Sequence, residues 1–401
     1  MWGVASCSSG DNGGGGTGGG AAGNGQAGGG GSAGTTGSAG SGNTGRGGAA
    51  GGDAGTGGGT AGSGSAGRGG AAGGSAGRGG STGAAGSGGG ASSSSGLPTP
   101  PGGGGMPRPS GTPGNITVLN WAGFKSAVSY TFDDTNSSQI SNYAALKALG
   151  VPMTFYLQTN KTTELNNAVW TMAVADGHEI GSHSHSHQMT GTAADLDMAD
   201  MLLRTKFAIT VWTMASPYGN TSYIPLASSR YLINRGTPGG TIAPNGNTDP
   251  FNINCFTPNQ GAAASAFNTE IEAGRAAGGW KTVLVHGFTG GSDGAYQPVA
   301  IGEFTSHVNA TKALGDVWID TVVAVGAYWR AQKMFTGITP TVSGTSRTWT
   351  WMLPAHFPPR KYLRVTVDGG TLVQAGNALP WDDHGYYEIA LDAGSVTLAP
   401  P

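Results

Sequence analysis

The stretch that decides the fold is Ala127-Val128-Ser129-Tyr130-Thr131-Phe132-Asp133-Asp134. Its first six residues are rich in β-branched and aromatic side chains, so they predict a strand. Two adjacent carboxylates follow, with no basic residue beside them. Charges this close repel each other unless a partner such as a divalent metal neutralises one of them. A solvated acidic turn is the alternative interpretation of the aspartate pair taken alone.

Outward from this strand, helical and strand patterns alternate. We predict further strands at 153–157, 178–181, 210–214 and 282–285, and helices at 138–149, 166–175, 193–207 and 317–332. Strands that alternate with helices are typical of parallel βαβ units. The pattern therefore predicts an α/β domain over 116–335, built as a distorted (β/α) barrel.

After about residue 335 the helical pattern stops and short segments with a period of two take over. They predict a small antiparallel, β-sandwich-like module over 336–401. Trp349 and Trp351 are two residues apart, so they share one face of a strand. They form either an exposed platform for sugar rings or part of a core against the barrel, and we expect the core.

Most of the 78 glycines lie before residue 120. The segment 1–115 has too few apolar side chains to offset the entropy cost of ordering it, which predicts a disordered, Gly/Ser/Ala-rich tether. The net charge is −2 and only 10% of residues are charged. This balance argues against a nucleic-acid partner and is compatible with a neutral partner such as carbohydrate.

The two cysteines lie far apart, which excludes a disulfide framework. Cys255 is expected to be a small buried hydrophobic side chain. Val4-Ala5-Ser6-Cys7 resembles a bacterial lipobox, which implies lipidation of Cys7. Only three residues precede this motif, so we expect a truncated signal peptide. The resulting hypothesis is an extracytoplasmic lipoprotein of the periplasm or cell surface, with the lipid as its only contact with the membrane.

Four of the eight histidines lie in residues 178–187. His183 and His187 are four apart, and one helical turn would place both rings on one side. Two imidazoles and a carboxylate form a common three-ligand catalytic metal site. His185 would point away from it. The alternative is a histidine-rich surface loop.

In combination, Thr131-Phe132-Asp133-Asp134 and the later run Gly177-His178-Glu179-Ile180-Gly181-Ser182-His183-Ser184-His185-Ser186-His187 resemble the polysaccharide deacetylase family. This is the family with the NodB homology domain, also called carbohydrate esterase family 4. The resemblance covers about residues 120–335. It implies a hydrolase that removes acetyl groups from a polysaccharide.

The resemblance also implies roles for individual residues. Asp134, His183 and His187 would bind a divalent metal, for which zinc is expected, and Asp133 would be the general base. Residues 284–286 match the family's final motif, and residues 214–219 match its third motif. From these motifs, His286 is expected as general acid, Leu284 as the wall of the acetyl-methyl pocket, and the Tyr218 backbone N–H as an oxyanion donor.

One position departs from the family pattern. Ala215 stands where the family often has an arginine that contacts the catalytic aspartate, which leaves the control of Asp133 open. Asp249 and Trp318 are candidates for a fourth motif. The substrate expected first is a polymer that contains N-acetylglucosamine. An O-acetyl esterase on xylan-like polymers, or a carbohydrate-binding lipoprotein with impaired catalysis, are the alternatives.

Overall fold

The strands of the protein alternate with helices up to residue 336 and then follow one another directly. The computed structural model describes residues 95–401. Along the chain, the strands are β1 (Ile116–Val118), β2 (Ser126–Phe132), β3 (Thr154–Leu157), β4 (Glu179–Ser182), β5 (Thr213–Ala215), β6 (Ile233–Arg235), β7 (Trp280–Val285), β8 (Val317–Ile319), β9 (Thr341–Ser343), β10 (Ser346–Thr350), β11 (Tyr362–Val367), β12 (Thr371–Gln374), β13 (Asn377–Ala378), β14 (Tyr387–Ala390) and β15 (Ser395–Ala399). The helices are α1 (Ser137–Ser141), α2 (Tyr143–Ala148), α3 (Thr162–Leu165), α4 (Val169–Ala175), α5 (Ala193–Phe207), α6 (Ile224–Ser228), α7 (Ala264–Ala276), α8 (Ile301–Ala313) and α9 (Val322–Thr336).

A parallel sheet forms the centre of the first part. Its strand order is β6-β5-β4-β3-β2-β7, and β8 also pairs with β2. The segment 253–256 makes parallel bridges to both outer strands. Ile253 pairs with Arg235 of β6, and Phe256 pairs with Val283 of β7. The sheet thus curls into a distorted barrel, which confirms the predicted fold class.

Side chains alternate between the two faces of β2, as the pleat of a strand requires. Val128, Tyr130 and Phe132 pack into a core with apolar residues of the surrounding helices. Alternation therefore places Thr131 on the barrel's inner face. Because parallel strands end at the same edge, residues that follow β2, β4, β5 and β7 meet at one rim.

Some predicted elements differ from the structure. The predicted helix over 317–332 is wrong at its start, because Val317–Ile319 forms β8 and pairs with the beginning of β2. Helix α9 begins only after Thr321, whose side chain accepts a hydrogen bond from the Ala324 amide. The predicted helix over 138–149 is divided at Asn142. Helices α7 and α8 and strand β6 were not predicted.

The predicted antiparallel module is present as two sheets, with strand orders β1-β11-β14 and β13-β12-β15-β10-β9. Trp349 and Trp351 are 3% and 7% exposed and belong to the same core cluster as α9. The expectation that they form a core is therefore confirmed, and the exposed sugar platform is wrong.

The described end of the predicted tether contacts this module. The buried guanidinium of Arg364 donates to the carbonyls of Leu97 and Pro98 and pairs with Glu388. Strand β1 pairs with β11, so the antiparallel sheets include a strand that precedes the barrel in sequence. Residues 95–115 have little apolar surface of their own, and hydrogen bonds to the antiparallel module hold them in place.

Candidate active site

Asp133 follows β2 and is 2% exposed. Its Oδ2 accepts a hydrogen bond from Nη2 of Arg235, whose side chain is fully buried. Its Oδ1 is buried and has no hydrogen-bond partner among residues 95–401. One oxygen of the carboxylate is therefore fixed, while the other remains available as an acceptor. This is the arrangement that a positioned base requires.

Asp134, His183 and His187 bring three metal-binding atoms together. Oδ1 of Asp134 lies 3.2 Å from Nε2 of each histidine, and the three donor atoms lie within 4.8 Å of one another. The Nδ1–H of His183 donates to the Ala215 carbonyl at 2.9 Å, so a neutral His183 ring would present an unprotonated Nε2 to a metal at the cluster. Two imidazoles and one carboxylate fit a divalent metal, and three ligands leave a coordination position open.

The histidines converge through a loop, and the predicted helical turn is wrong. Residues 183–187 follow β4 without helical structure, and Ser184 and His187 have positive φ values of 63° and 54°. The Ser184 hydroxyl accepts a hydrogen bond from the His187 amide at 3.0 Å. His185 is directed elsewhere, to the Thr159 hydroxyl at 2.8 Å, as expected for the histidine that points away.

Asp195, in the first turn of α5, holds this loop in place. Its carboxylate accepts hydrogen bonds from the amides of His185 and Ser186, at 3.1 and 3.0 Å, and from the Ser186 hydroxyl. The chain reversal before α5 thus becomes rigid enough to present two rings to one point. Nothing in the histidine spacing indicated this role for Asp195.

The charges of the cluster act on each other. Burial acts to raise the pKa of Asp134, but hydrogen bonds with His183 and His187 outweigh it and hold that pKa well below its usual range. Burial acts to lower the pKa of His183, but the nearby charges of Asp133 and Asp134 outweigh it and raise that pKa. The cluster therefore favours a cationic occupant, whether a proton on an imidazole or a metal ion between the ligands.

Arg235 supplies the guanidinium that is missing from position 215. Strands β5 and β6 are parallel neighbours, and Ala215 is the register partner of Arg235. The arginine therefore reaches Asp133 from one strand further along the sheet. It also donates to the Gly236 carbonyl at 3.2 Å and lies over the Tyr156 ring. The motif pattern does not indicate this residue, because Arg235 lies outside the third motif at residues 214–219.

His286 and Leu284 follow from the alternation along β7. Val283 and Val285 pack in the outer core, so Leu284 faces the barrel interior, where it is buried beside its register partner Thr131. His286 is two residues further on and half-buried. Burial lowers its pKa and outweighs the opposite effect of Asp134 and Asp133. A proton must therefore reach this ring before it can act as an acid.

Gln139 links the ends of β2 and β7. Its side-chain amide is fully buried and donates to the Asp133 carbonyl at 2.5 Å and to the His286 carbonyl at 2.7 Å. Asn136 donates to the same His286 carbonyl at 2.8 Å. One side chain on α1 thus sets the spacing between the two predicted catalytic residues through their backbones, and no sequence motif indicates this role.

Tyr218 lies in a short 3-10 turn after β5, at residues Pro217–Gly219, with a φ of 56°. Its ring centroid is 4.6 Å from that of His187, and the side chain is 51% exposed. The candidates for a fourth motif lie elsewhere. Trp318 is buried in the core with α9, and Asp249 is exposed in a loop where it accepts a hydrogen bond from the Phe251 amide.

The family model for polysaccharide deacetylase matches residues 123–226, which include the aspartate pair, the histidine loop and the tyrosine turn. This segment belongs to the polysaccharide deacetylase family. The match confirms the resemblance on which the site was predicted, and it identifies the domain as that of a deacetylase, a hydrolase.

Individual relatives are more distant. Over 135 residues, the chain is 30% identical to a gellan lyase from Bacillus sp; the match covers 31% of this chain and 5% of the length of that relative. A putative polysaccharide deacetylase from Mycobacterium smegmatis is 16% identical, with a TM-score of 0.41 over 57% of this chain and 96% of that one. The Xyl-CE4 domain of a multidomain xylanase from the hindgut metagenome of Trinervitermes trinervoides is 19% identical, with a TM-score of 0.35 over 58% and 98% of the two chains.

Two predictions concern the membrane. Cys7, the predicted lipidation site, lies outside the described residues. Among residues 95–401, no helix is both long and apolar enough to cross a bilayer.

Proposed function

We propose that the deacetylase domain removes acetyl groups from an extracytoplasmic polysaccharide that contains N-acetylglucosamine, with a divalent metal, zinc in the first instance, at Asp134, His183 and His187. The observation that carries the proposal is the Asp133 carboxylate. One of its oxygens is fixed by Arg235, and the other is buried and unpartnered beside the three-donor cluster.

The roles of the residues follow from their positions. When bound, the metal would polarise the acetyl carbonyl and acidify the attacking water. Asp133 accepts the proton of that water through its free Oδ1. The Tyr218 backbone N–H is assigned to the oxyanion, and Leu284 to the acetyl methyl group. His286 carries a proton to the departing amine.

Ala215 was the feature that favoured a carbohydrate-binding protein with impaired catalysis. Arg235 weakens that alternative, because it places a guanidinium on Asp133 from the neighbouring strand. The O-acetyl esterase remains an alternative, since an ester and an amide require the same base and the same metal ligands.

Acetate release measures the proposal directly. We expect the wild-type protein with zinc to release acetate from hexa-N-acetylchitohexaose, and the Asp133→Asn variant to retain its zinc but lose turnover. Release from acetylated xylan alone would favour the esterase. A wild-type protein that binds zinc and releases no acetate from either substrate would leave the impaired binder as the better description.

We also propose that the domain is held outside the cytoplasm by a lipid on Cys7. The support is the Val4-Ala5-Ser6-Cys7 motif and the glycine-rich sequence that follows it. Mass spectrometry of native protein should find a diacylglycerol-modified Cys7, and an unmodified thiol would contradict the proposal.

A further inference from the structure

Exposed aromatic side chains are rare in the described part of the chain. Among the large hydrophobic residues of 95–401 that are clearly exposed, the aromatic ones are Tyr218, at 51%, and Tyr296, at 39%. Each ring contacts a histidine of the candidate site. The centroid of Tyr218 lies 4.6 Å from that of His187, and the centroid of Tyr296 lies 5.2 Å from that of His286 in an edge-to-face arrangement.

The two rings come from opposite sides of the site. Tyr218 follows β5 and Tyr296 follows β7, while the residues at the centre follow β2 and β4, which lie between those strands in the sheet order. No hydrogen bond within residues 95–401 involves the hydroxyl of either tyrosine. Each side chain therefore lies beside a histidine of the site and is partly exposed to solvent.

The loop that carries Tyr296 is fixed to the barrel. Asp293 accepts hydrogen bonds from the Ser138 amide at 2.6 Å and from the Ala295 amide at 3.3 Å. The Thr289 amide donates to the Val299 carbonyl at 2.9 Å and closes the base of the loop.

Gly291 shows how closely this loop packs against α1. A Cβ at that position would come within 2.9 Å of the Ser138 Cβ. The backbone that carries Tyr296 is therefore anchored at several points, and the ring lies edge-to-face against His286.

An exposed, preorganised aromatic ring beside a carbohydrate-modifying site has a specific use. The apolar face of a pyranose ring can cover it and remove both surfaces from water, while the tyrosine hydroxyl stays wet. If Tyr296 served only to shield His286, burial of its ring would be expected. The low charge of the chain also suits a neutral sugar as the occupant.

We propose that Tyr296 binds a pyranose residue adjacent to the sugar that loses its acetyl group, and that Tyr218 binds one on the other side. The substrate is then an internal sugar of a polymer rather than a chain end or a monosaccharide. This inference rests on the proposed deacetylase function and extends it to the length of substrate that the site recognises.

The test compares a long substrate with one that has no sugar. For Tyr296→Ala with zinc, kcat/KM on hexa-N-acetylchitohexaose should fall about tenfold relative to kcat/KM on 4-nitrophenyl acetate, mainly through KM. Tyr296→Phe keeps the ring and should retain the wild-type ratio. Met352→Ala, which changes a side chain that is 89% exposed in the antiparallel module, serves as the control for a surface change. If the xylan-type esterase is correct, acetylated xylohexaose replaces the chitohexaose.

A binding measurement separates recognition from catalysis. Calorimetric titration of Asp133→Asn with the same hexamer should give a Kd about tenfold lower than titration of the Asp133→Asn, Tyr296→Ala double variant. An unchanged ratio of the two kcat/KM values together with an unchanged Kd would overturn the proposed sugar binding by Tyr296. A wild-type protein that cleaves the small ester but neither hexamer would overturn it as well. Failure to hydrolyse even the small ester would instead count against the proposed function.

Discussion

Replacement of Arg235 by methionine examines the central interaction of the site. The pair with Asp133 is buried on both sides, with side-chain exposures of 0% and 3%. Methionine retains much of the volume but leaves the buried Asp133 carboxylate without the guanidinium that pairs with it. Removal of one partner of a buried ion pair costs about 3–5 kcal/mol, because the remaining charge must stay uncompensated or take up a proton. In either case Asp133 is no longer an ionised base held in the required orientation, so we expect kcat to fall by about 100-fold or more.

Two measurements on one sample decide this prediction. Urea unfolding followed by tryptophan fluorescence gives the change in unfolding free energy, and acetate release gives kcat. Arg275→Met is a matched control, because Arg275 makes two 2.7 Å hydrogen bonds to Asp316 with side chains that are 26% and 23% exposed. Loss of a more exposed pair of this kind should cost much less stability and leave kcat unchanged, because solvent screens its charges. If Arg235→Met loses no more stability than Arg275→Met and keeps wild-type turnover, the assignment of Arg235 is wrong.

Three further predictions follow from other contacts. Gln139→Leu removes the two hydrogen bonds by which one side chain connects the carbonyls of Asp133 and His286. The value of kcat should therefore fall about tenfold, with KM within about twofold of wild type. Steady-state kinetics and a melting curve measure this, and an unchanged kcat in a folded variant would contradict it. Burial raises the pKa of Asp200 to about 6. The folded protein therefore loses stability through this carboxyl as the pH rises from the pKa of an unfolded aspartate toward about 6. Asp200→Asn keeps an acceptor for the Tyr231 hydroxyl, and its unfolding free energy should rise by up to about 3 kcal/mol relative to wild type over that range. A difference between variant and wild type that is the same at pH 4 and pH 7 would contradict the reasoning. Removal of metal by a chelator should lower the melting temperature and abolish acetate release, and zinc should restore both. The reason is that a ligand that binds only the folded state stabilises it by about 2.7 kcal/mol at 100 times its Kd. A melting temperature that does not respond to zinc would count against the three-donor site.

The parts of the fold that the sequence predicted well are those with a strong local signal. The predicted helix 193–207 has the bounds of α5, because a Thr192 cap and a left-handed Ala208 mark its ends. Helices α7 and α8, of 13 residues each, were missed, and two of the strands that were missed or misassigned are short. Strands β6 and β8 have three residues each, too few for periodicity to be visible, and each is stabilised by pairing with a distant segment.

The candidate site shows the same division between local and distant information. Asp133, Asp134, His183 and His187 lie in two continuous motifs, and the sequence was sufficient to propose them. The loop geometry that joins the histidines was not predicted, because it depends on Asp195 and on residues with positive φ. Four-residue spacing indicated a helical turn, yet the rings meet through a different backbone path.

Arg235 illustrates how a motif can lack a residue whose charge the fold still supplies. The proposed role of Asp133 requires a guanidinium near its carboxylate, and that role does not depend on which strand carries the guanidinium. In a parallel sheet, register partners on adjacent strands lie about 5 Å apart, a distance that a long arginine side chain spans easily. Ala215 and Arg235 are such partners. The arginine can therefore lie on either strand and place its charge at the same point. The condition is that β5 keeps a small side chain, past which an arginine from β6 can extend. Ala215 meets that condition, so its small size is part of the same arrangement as the arginine beside it.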